Sequence, residues 1–257
     1  MEPGTKWLGK HWFFQEETDS TNDWAKRAAG EGDPHGSVFL VESQIKGKGR
    51  RGRGWVNPRG TGLAMSVLLR PRMAPEKAPM MTLLMGLSGA QAVEEITGTA
   101  PGIKWPNDLV LASKKICGIL TEMSVNSSGI AYVVIGIGVN LNMETFPEEI
   151  RDKATSLRIE TGCCVDRDVM AACILRKFEK NYETFMEAGS LAPLREDYAS
   201  YLVNSGREVR ILEKGNELQG ICRGINDMGE LLIEKNDGTL TAVFAGEVSV
   251  RGLYGYV

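Results

Sequence analysis

Five cations and four glycines crowd the nine residues from Lys46 to Gly54. Glycines let backbone amides approach an anion closely and the cations neutralise it, so this stretch could grasp a phosphate. A solvated charged loop and an RGG-like nucleic-acid segment fit the same composition. Trp55, which closes it, could stack on a nucleotide ring or simply pack. No helix follows with the Gly-Lys-Ser/Thr of a Walker motif. Lys104-Trp105-Pro106-Asn107-Asp108 sets an amide oxygen beside a carboxylate. Such a pair suits a hard cation carrying phosphates, and equally a turn between strands, since Pro106 keeps Trp105 out of a helix. Lys115 leads the apolar run Ile116, Cys117, Gly118 and Ile119; turned inward it needs an anion, and at the rim it does not. Gly136-Ile137-Gly138-Val139-Asn140 lacks the third glycine and following helix of a dinucleotide fingerprint, which leaves close approach of a ligand or a strand. His11, His35 and the helically spaced Met80, Met81 and Met85 read as structural, and Cys163-Cys164 carries no assigned role.

The elements that must position these residues are legible as periodicities. His11–Gln15 is a short aromatic strand, and Ser20-Thr21-Asn22-Asp23 offers caps to a helix opening at Trp24. Ser37–Ser43 is a buried strand, and the basic loop runs from Gln44 to Gly60. Thr61–Leu69 returns as a strand with Leu63, Met65, Val67 and Leu69 on one face. Glu76–Ile96 is an apolar helix, followed by strands at Ile103–Leu111, Lys115–Val125 and Ile130–Leu141. A helix over Asp166–Ala188 carries a core stripe of Cys173, Ile174, Phe178, Tyr182 and Phe185. A second spans about Leu191–Leu202, with Leu194, Tyr198 and Leu202 four apart. Beyond Asn204 come five short β-runs separated by Asn/Asp-Gly turns, the pattern of a small β-barrel. The division is therefore 1–204, mixed α/β, and 205–257, all β. The tail would either help bind ligands, with Glu247 and Arg251 near its last run, or only cover apolar surface of the first domain.

Composition removes whole classes of function. The chain has 257 residues, 30 Lys+Arg against 33 Asp+Glu and a net charge of −3, with 42% hydrophobic residues. That excludes a disordered or collagen-like chain and argues against a surface built for nucleic acid. The longest apolar run, Ile130–Val139, is half of the ~20 residues that span a bilayer, and no signal peptide is visible before Phe14. Five unpatterned cysteines and two histidines imply reduced thiols in the cytoplasm rather than disulfides or a zinc site.

The order of the motifs is more specific than any one of them. Ser20-Thr21-Asn22, then Gln44-x-x-Gly47-Lys48-Gly49-Arg50-x-x-Arg53-x-Trp55, then Lys104–Asp108, then Lys115-x-x-Gly118-Ile119-Leu120, then Gly136-x-Gly138-x-Asn140 resembles biotin–protein ligase. The tail, with Gly220, Gly224, Asp227, Gly229 and Ala245–Arg251, is similar to that family's C-terminal domain. The resemblance implies an α/β (α+β) fold: a class II aminoacyl-tRNA-synthetase-like domain with a mixed sheet and flanking helices, followed by an SH3-like barrel. It implies an enzyme that joins biotin to ATP as biotinyl-5′-AMP, with Mg²⁺, and transfers biotin to a lysine of a biotin carboxyl carrier protein or domain. Ser20, Thr21, Asn22 and Gln44 would contact biotin. Gly47, Lys48, Gly49 and Arg50 would belong to a loop folding over the ligand, with Arg53 and Trp55 on the nucleotide side. Asn107, Asp108 and Asn140 would lie near phosphates and metal, and Lys115 between the biotin carboxylate and the α-phosphate, with Gly118 and Gly138 beside it. Lys115, Arg50 and Asp108 would carry the catalysis. A cytoplasmic homodimer without nucleic-acid or membrane partners is expected.

The implied chemistry asks for these residue types. A carboxylate and a triphosphate must be brought to ~3–3.5 Å against their repulsion, which fixed cations achieve. A glycine-rich loop that closes on ligand would keep water from the mixed anhydride, and a neutral ureido ring is read by hydroxyls and amides. Lys48 stands where the family usually has Arg and lacks the bidentate fork. About ten residues precede the first strand, so no helix-turn-helix domain, and hence no repressor activity, is expected. Lipoate–protein ligase is the neighbouring alternative, and an RNA-binding protein using Lys46–Arg53 is the alternative of another class.

Overall fold

The computed structural model describes residues 3–56, 58–213, 216–244 and 248–252. Alternation of side chains along two long central strands organises the molecule. In β3 (Gly62–Leu69) and β7 (Gly129–Asn140), Leu63, Met65, Val67 and Leu69 share one core with Val133, Ile135, Ile137 and Val139. That face is covered by α2 (Ala78–Thr97) and α4 (Arg167–Ala188), which also pack on each other. The opposite face meets α1 (Thr21–Glu31), whose Ala25, Ala28 and Ala29 form a smaller core with Phe39, Leu68 and Val134. β3 is therefore buried on both sides along its whole length, and the expected single apolar face is only half of its burial.

The sheet has the order β1-β2-β3-β7-β6-β5-β4, with β1 (Trp12–Thr18) parallel to β2 (Ser37–Gln44) and every other pair antiparallel. The stretch expected as one strand at Ile103–Leu111 is two, β4 (Gly102–Lys104) and β5 (Asp108–Leu111), turning at Trp105–Asn107 around a cis Trp105–Pro106 bond. β6 (Lys114–Asn126) pairs with β5 on one side and β7 on the other. Between Leu109 and Val110 the β5–β6 register shifts, so Leu109 faces Cys117 while Val110 faces Lys115. That irregularity inserts Ile116 as an extra residue and reverses the face of everything before it, the usual effect of a bulge.

Two helical readings are refined. A short α3 (Leu157–Thr161), capped by Ser156, escaped the periodicity because one turn shows no repeat. The helix expected at Leu191–Leu202 is a 3-10 turn followed by α5 (Arg195–Tyr201), with Leu194, Tyr198 and Leu202 buried as expected. The five C-terminal runs appear as β8 (Glu208–Glu213), β9 (Asn216–Ile225), β10 (Leu231–Glu234), β11 (Leu240–Val243) and β12 (Val248–Gly252). They form a five-stranded antiparallel sheet of order β11-β10-β9-β8-β12. Its Val209, Ile211, Cys222, Ile225, Leu231 and Ile233 join the main core rather than forming one of their own. The Trp105 indole N–H donates to Gly229 O at 3.0 Å across this junction. Glu247 and the Arg251 side chain lie outside the described residues.

Candidate active site

Because odd residues of β3 and β7 face the main core, the even ones turn toward α1, and there they floor a cavity of about 440 Å³ including its open mouth. Gly136 and Gly138 are on that floor. A Cβ on Gly136 would stand 2.2 Å from Asn22 Oδ1, and one on Gly138 would stand 2.5 Å from Trp55 Nε1. The glycines thus make room for side chains arriving from α1 and from the basic loop.

The α1 end of the cavity is neutral and polar. Thr21 donates to Gln44 Oε1 through its N–H at 2.9 Å and its hydroxyl at 3.2 Å. The Ser66 hydroxyl lies 2.7 Å from both Thr21 Oγ1 and Asn22 Oδ1, and Asn22 Nδ2 donates to Glu122 at 2.8 Å. Ser20 occupies the N-cap position of α1 but its side chain caps nothing, contrary to the capping reading; it lines the cavity instead. Its N–H is held by Asp19, whose carboxyl the Arg27 guanidinium keeps far below the usual range.

The other end is cationic. Lys115 Nζ sits 2.7 Å from Asp108 Oδ1 and 5.6 Å from the centre of the Trp55 ring. The β5–β6 bulge is what puts Lys115 on the same face as Gly118. Arg50 Nη1 donates to Asn107 Oδ1 at 2.8 Å, and burial draws its guanidinium pKa below the usual value while Asp108 opposes that. The loop folds on itself through Gly49 N–H to Arg53 O (2.7 Å) and Trp55 N–H to Gly47 O (2.9 Å). A 3-10 turn, Arg50–Gly52, sits at its tip. The Trp55 indole nitrogen is buried over Gly138 without a hydrogen-bond partner.

Of the residues singled out in the sequence, Ser20, Thr21, Asn22 and Gln44 line the cavity at one end, and Lys48, Gly49, Arg50 and Trp55 roof it. Asn107, Lys115, Gly118 and Gly138 complete the wall. Gly47 and Arg53 shape the loop without lining the cavity, and Asp108 acts through Lys115. Asn140 is not among the lining residues: buried, its Nδ2 donates to Thr155 O at 2.9 Å, beside the backbone of Lys115, whose carbonyl accepts the Thr155 N–H. Ser66, Asp23 and Glu122 were missed. A lone serine in an apolar strand is the one signal for Ser66; the two carboxylates carried none. Among the described residues no group of three His, Cys, Asp or Glu could hold a metal, so Asn107 and Asp108 fit an ion only as one carrying phosphates of its own. Among the described residues no helix is long and apolar enough to cross a membrane. His35 Nδ1 accepts the Arg70 N–H at 2.9 Å, a structural role, and all five cysteines are free.

The pattern of the Biotin/lipoate A/B protein ligase family matches residues 14–140, and that of the Biotin protein ligase C terminal domain matches residues 205–251. The bifunctional ligase/repressor BirA of Bacillus subtilis is 35% identical over 248 residues, 96% of this chain and 76% of that protein. The chain belongs to the biotin–protein ligase family. The biotin--[acetyl-CoA-carboxylase] ligase of Mycobacterium tuberculosis is 34% identical, covering 90% of this chain and 86% of that one. A solved Aquifex aeolicus biotin protein ligase in complex with biotin and ATP superposes with a TM-score of 0.83 at 33% identity, over 95% of this chain and 99% of that one.

Proposed function

We propose that the chain activates biotin with ATP and transfers it to a lysine of a biotin carboxyl carrier domain. The observation that carries this reading is a single cavity with a neutral hydroxyl-and-amide end and a cationic end, roofed by a glycine-rich loop. The neutral end suits an uncharged ureido ring; Ser20, Thr21, Asn22 and Gln44 offer both donors and acceptors to it, with Ser66 behind them holding Thr21 and Asn22. The biotin carboxylate then lies toward Lys115. A carboxylate oxygen attacks the α-phosphorus, the new P–O bond forms as the bond to pyrophosphate breaks, and Lys115 and Arg50 bear the charge that develops. The carrier lysine, as a neutral amine, next attacks the acyl carbon of the mixed anhydride. An amide forms, AMP leaves, and Asp108 is placed to take the amine proton when Lys115 swings to the phosphate. Mg²⁺, carried in by the nucleotide and held by Asn107 and Asp108, would neutralise the leaving pyrophosphate. A cytoplasmic, homodimeric enzyme divided near residue 204 belongs to the same reading, supported by the family likeness and by the free thiols.

Incubation with ATP, Mg²⁺ and labelled biotin, followed by gel filtration, tests it. Labelled biotinyl-5′-AMP should co-elute with the protein, and a carrier domain added later should take up the label. No adenylate with biotin but one with lipoate would replace the substrate, and none with either acid would overturn the reading.

A further inference from the structure

The basic loop leans on the body of the protein through an ion pair that the proposed chemistry does not use. Lys48 Nζ lies 2.6 Å from Asp23 Oδ2 and 2.8 Å from Asp23 Oδ1. Asp23 is in the first turn of α1, one residue after Asn22, but it points outward where Asn22 points into the cavity. Its carboxylate is shared: Lys26 Nζ is 2.8 Å from Oδ1 and also 2.7 Å from Glu122 Oε1, and Glu122 in turn accepts from Asn22. Burial would raise the Asp23 carboxyl, yet the two lysines hold it below its ordinary range. Lys48, Asp23, Lys26 and Glu122 therefore alternate in sign and lead from the loop back to the polar end of the cavity.

The loop's other named tie, Arg50 to Asn107, stands on the opposite flank. That tie must change hands when phosphate arrives, because the same guanidinium is then drawn to the ligand. The Lys48–Asp23 pair need not change. We infer that Asp23 is a positioning residue that holds the basic loop closed through Lys48 and so sets how long the activated intermediate stays enclosed. The inference rests on the proposed function for its second half only.

Two readouts test it, one of them without ligand. Five tryptic sites lie between Lys46 and Arg53, and cleavage of a segment that opens and recloses quickly follows its open population. An exposed, networked pair supports an expectation of about two- to fivefold faster loop cleavage in Asp23→Asn, with other tryptic sites and the Tm unchanged. At Arg50, Arg51 and Arg53, which every variant keeps, Lys48→Gln should accelerate cleavage equally, and the double variant no further, since both remove one interaction. Raised salt should speed cleavage of the wild type and not of Asp23→Asn. Release of preformed biotinyl-5′-AMP from Asp23→Asn should quicken by the same factor. Asp23→Glu, which keeps the charge, should restore slow cleavage. Wild-type cleavage in Asp23→Asn, or additive effects of the two single variants, would overturn the latch whatever the ligand. A wild-type chain that forms no adenylate would overturn the proposed function and the retention half of the inference, leaving the proteolysis result to decide the latch.

Discussion

At the scale of a single side chain, the proposed chemistry concentrates on Lys115. Its ammonium lies 2.7 Å from Asp108 Oδ1 and 5.6 Å from the centre of the Trp55 ring within the cavity. Removing a donor aimed at developing charge costs ~2.7–4 kcal/mol of transition-state stabilisation. Lys115→Ala should therefore slow single-turnover adenylate formation ~10²–10³-fold while Tm falls by only a few degrees; adenylate formed within twofold of the wild-type rate would make it a rim lysine. Gly138 bears on the same site from below. Because its added Cβ would come within 2.5 Å of Trp55 Nε1, Gly138→Ala should displace the indole at about 1–3 kcal/mol. Calorimetry should show weakened nucleotide binding with biotin binding largely kept, since Thr21 and Gln44 sit at the other end.

The basic loop and α4 each make a prediction as elements. In the proposed reaction Arg50 exchanges Asn107 for the ligand phosphate, so Arg50→Gly should let adenylate escape and label bystander lysines. Labelling confined to the carrier, at an unchanged release rate, would remove that role. In α4, Glu179 is buried with its two oxygens accepting three backbone N–H groups, from Lys6 at 2.8 Å, Trp7 at 2.8 Å and Leu8 at 2.9 Å. Burial alone would raise its carboxyl, but these three bonds hold it below the ordinary value. The stability it contributes is complete above the unfolded value of ~4.3 and is lost as pH falls through the lower folded value. Glu179→Gln turns an amide NH₂ on one of those donors. Denaturant titration should show a loss of about 1–3 kcal/mol at neutral pH and a shallower acid limb.

Across the whole molecule, the question is whether the C-terminal sheet is a separate unit. Its Val209, Cys222, Leu231 and Ile233 are in the same core as α2 and α4, and Trp105 reaches across to Gly229. A sheet of about fifty residues has little core of its own to fall back on. The chain should therefore unfold in one transition, with coincident fluorescence and circular dichroism midpoints. Trp105→Phe leaves the Gly229 carbonyl buried without its donor and should lower that single midpoint by about 1–3 kcal/mol. Two resolved transitions in the wild type would show the sheet to be independent. A truncation after Asn204 would expose the apolar surface now covered by this sheet, so covering it is part of what the tail does.

The sequence by itself determined the chemistry available and most of the elements. Periodicity is local, so β2, β3, β7, α2 and α4 were legible within a residue or two, and the order of Ser20–Asn22, Lys46–Trp55, Lys104–Asp108 and Lys115 pointed to one family. Contacts between distant segments were not legible. Ser66 and Glu122 reach Asn22 only because β3 and β6 are brought under α1, and the amide of Asn140 is taken by Thr155. Lys115 shows the limit best. Strict alternation from Cys117 and Ile119, both in the core, would bury it on the far side of the sheet. Pairing with β5 inserts Ile116 as a bulge and turns Lys115 onto the face of Gly118. Which face a strand residue takes depends on the register of its neighbour, and that register is set by a partner strand and not by the residues beside it.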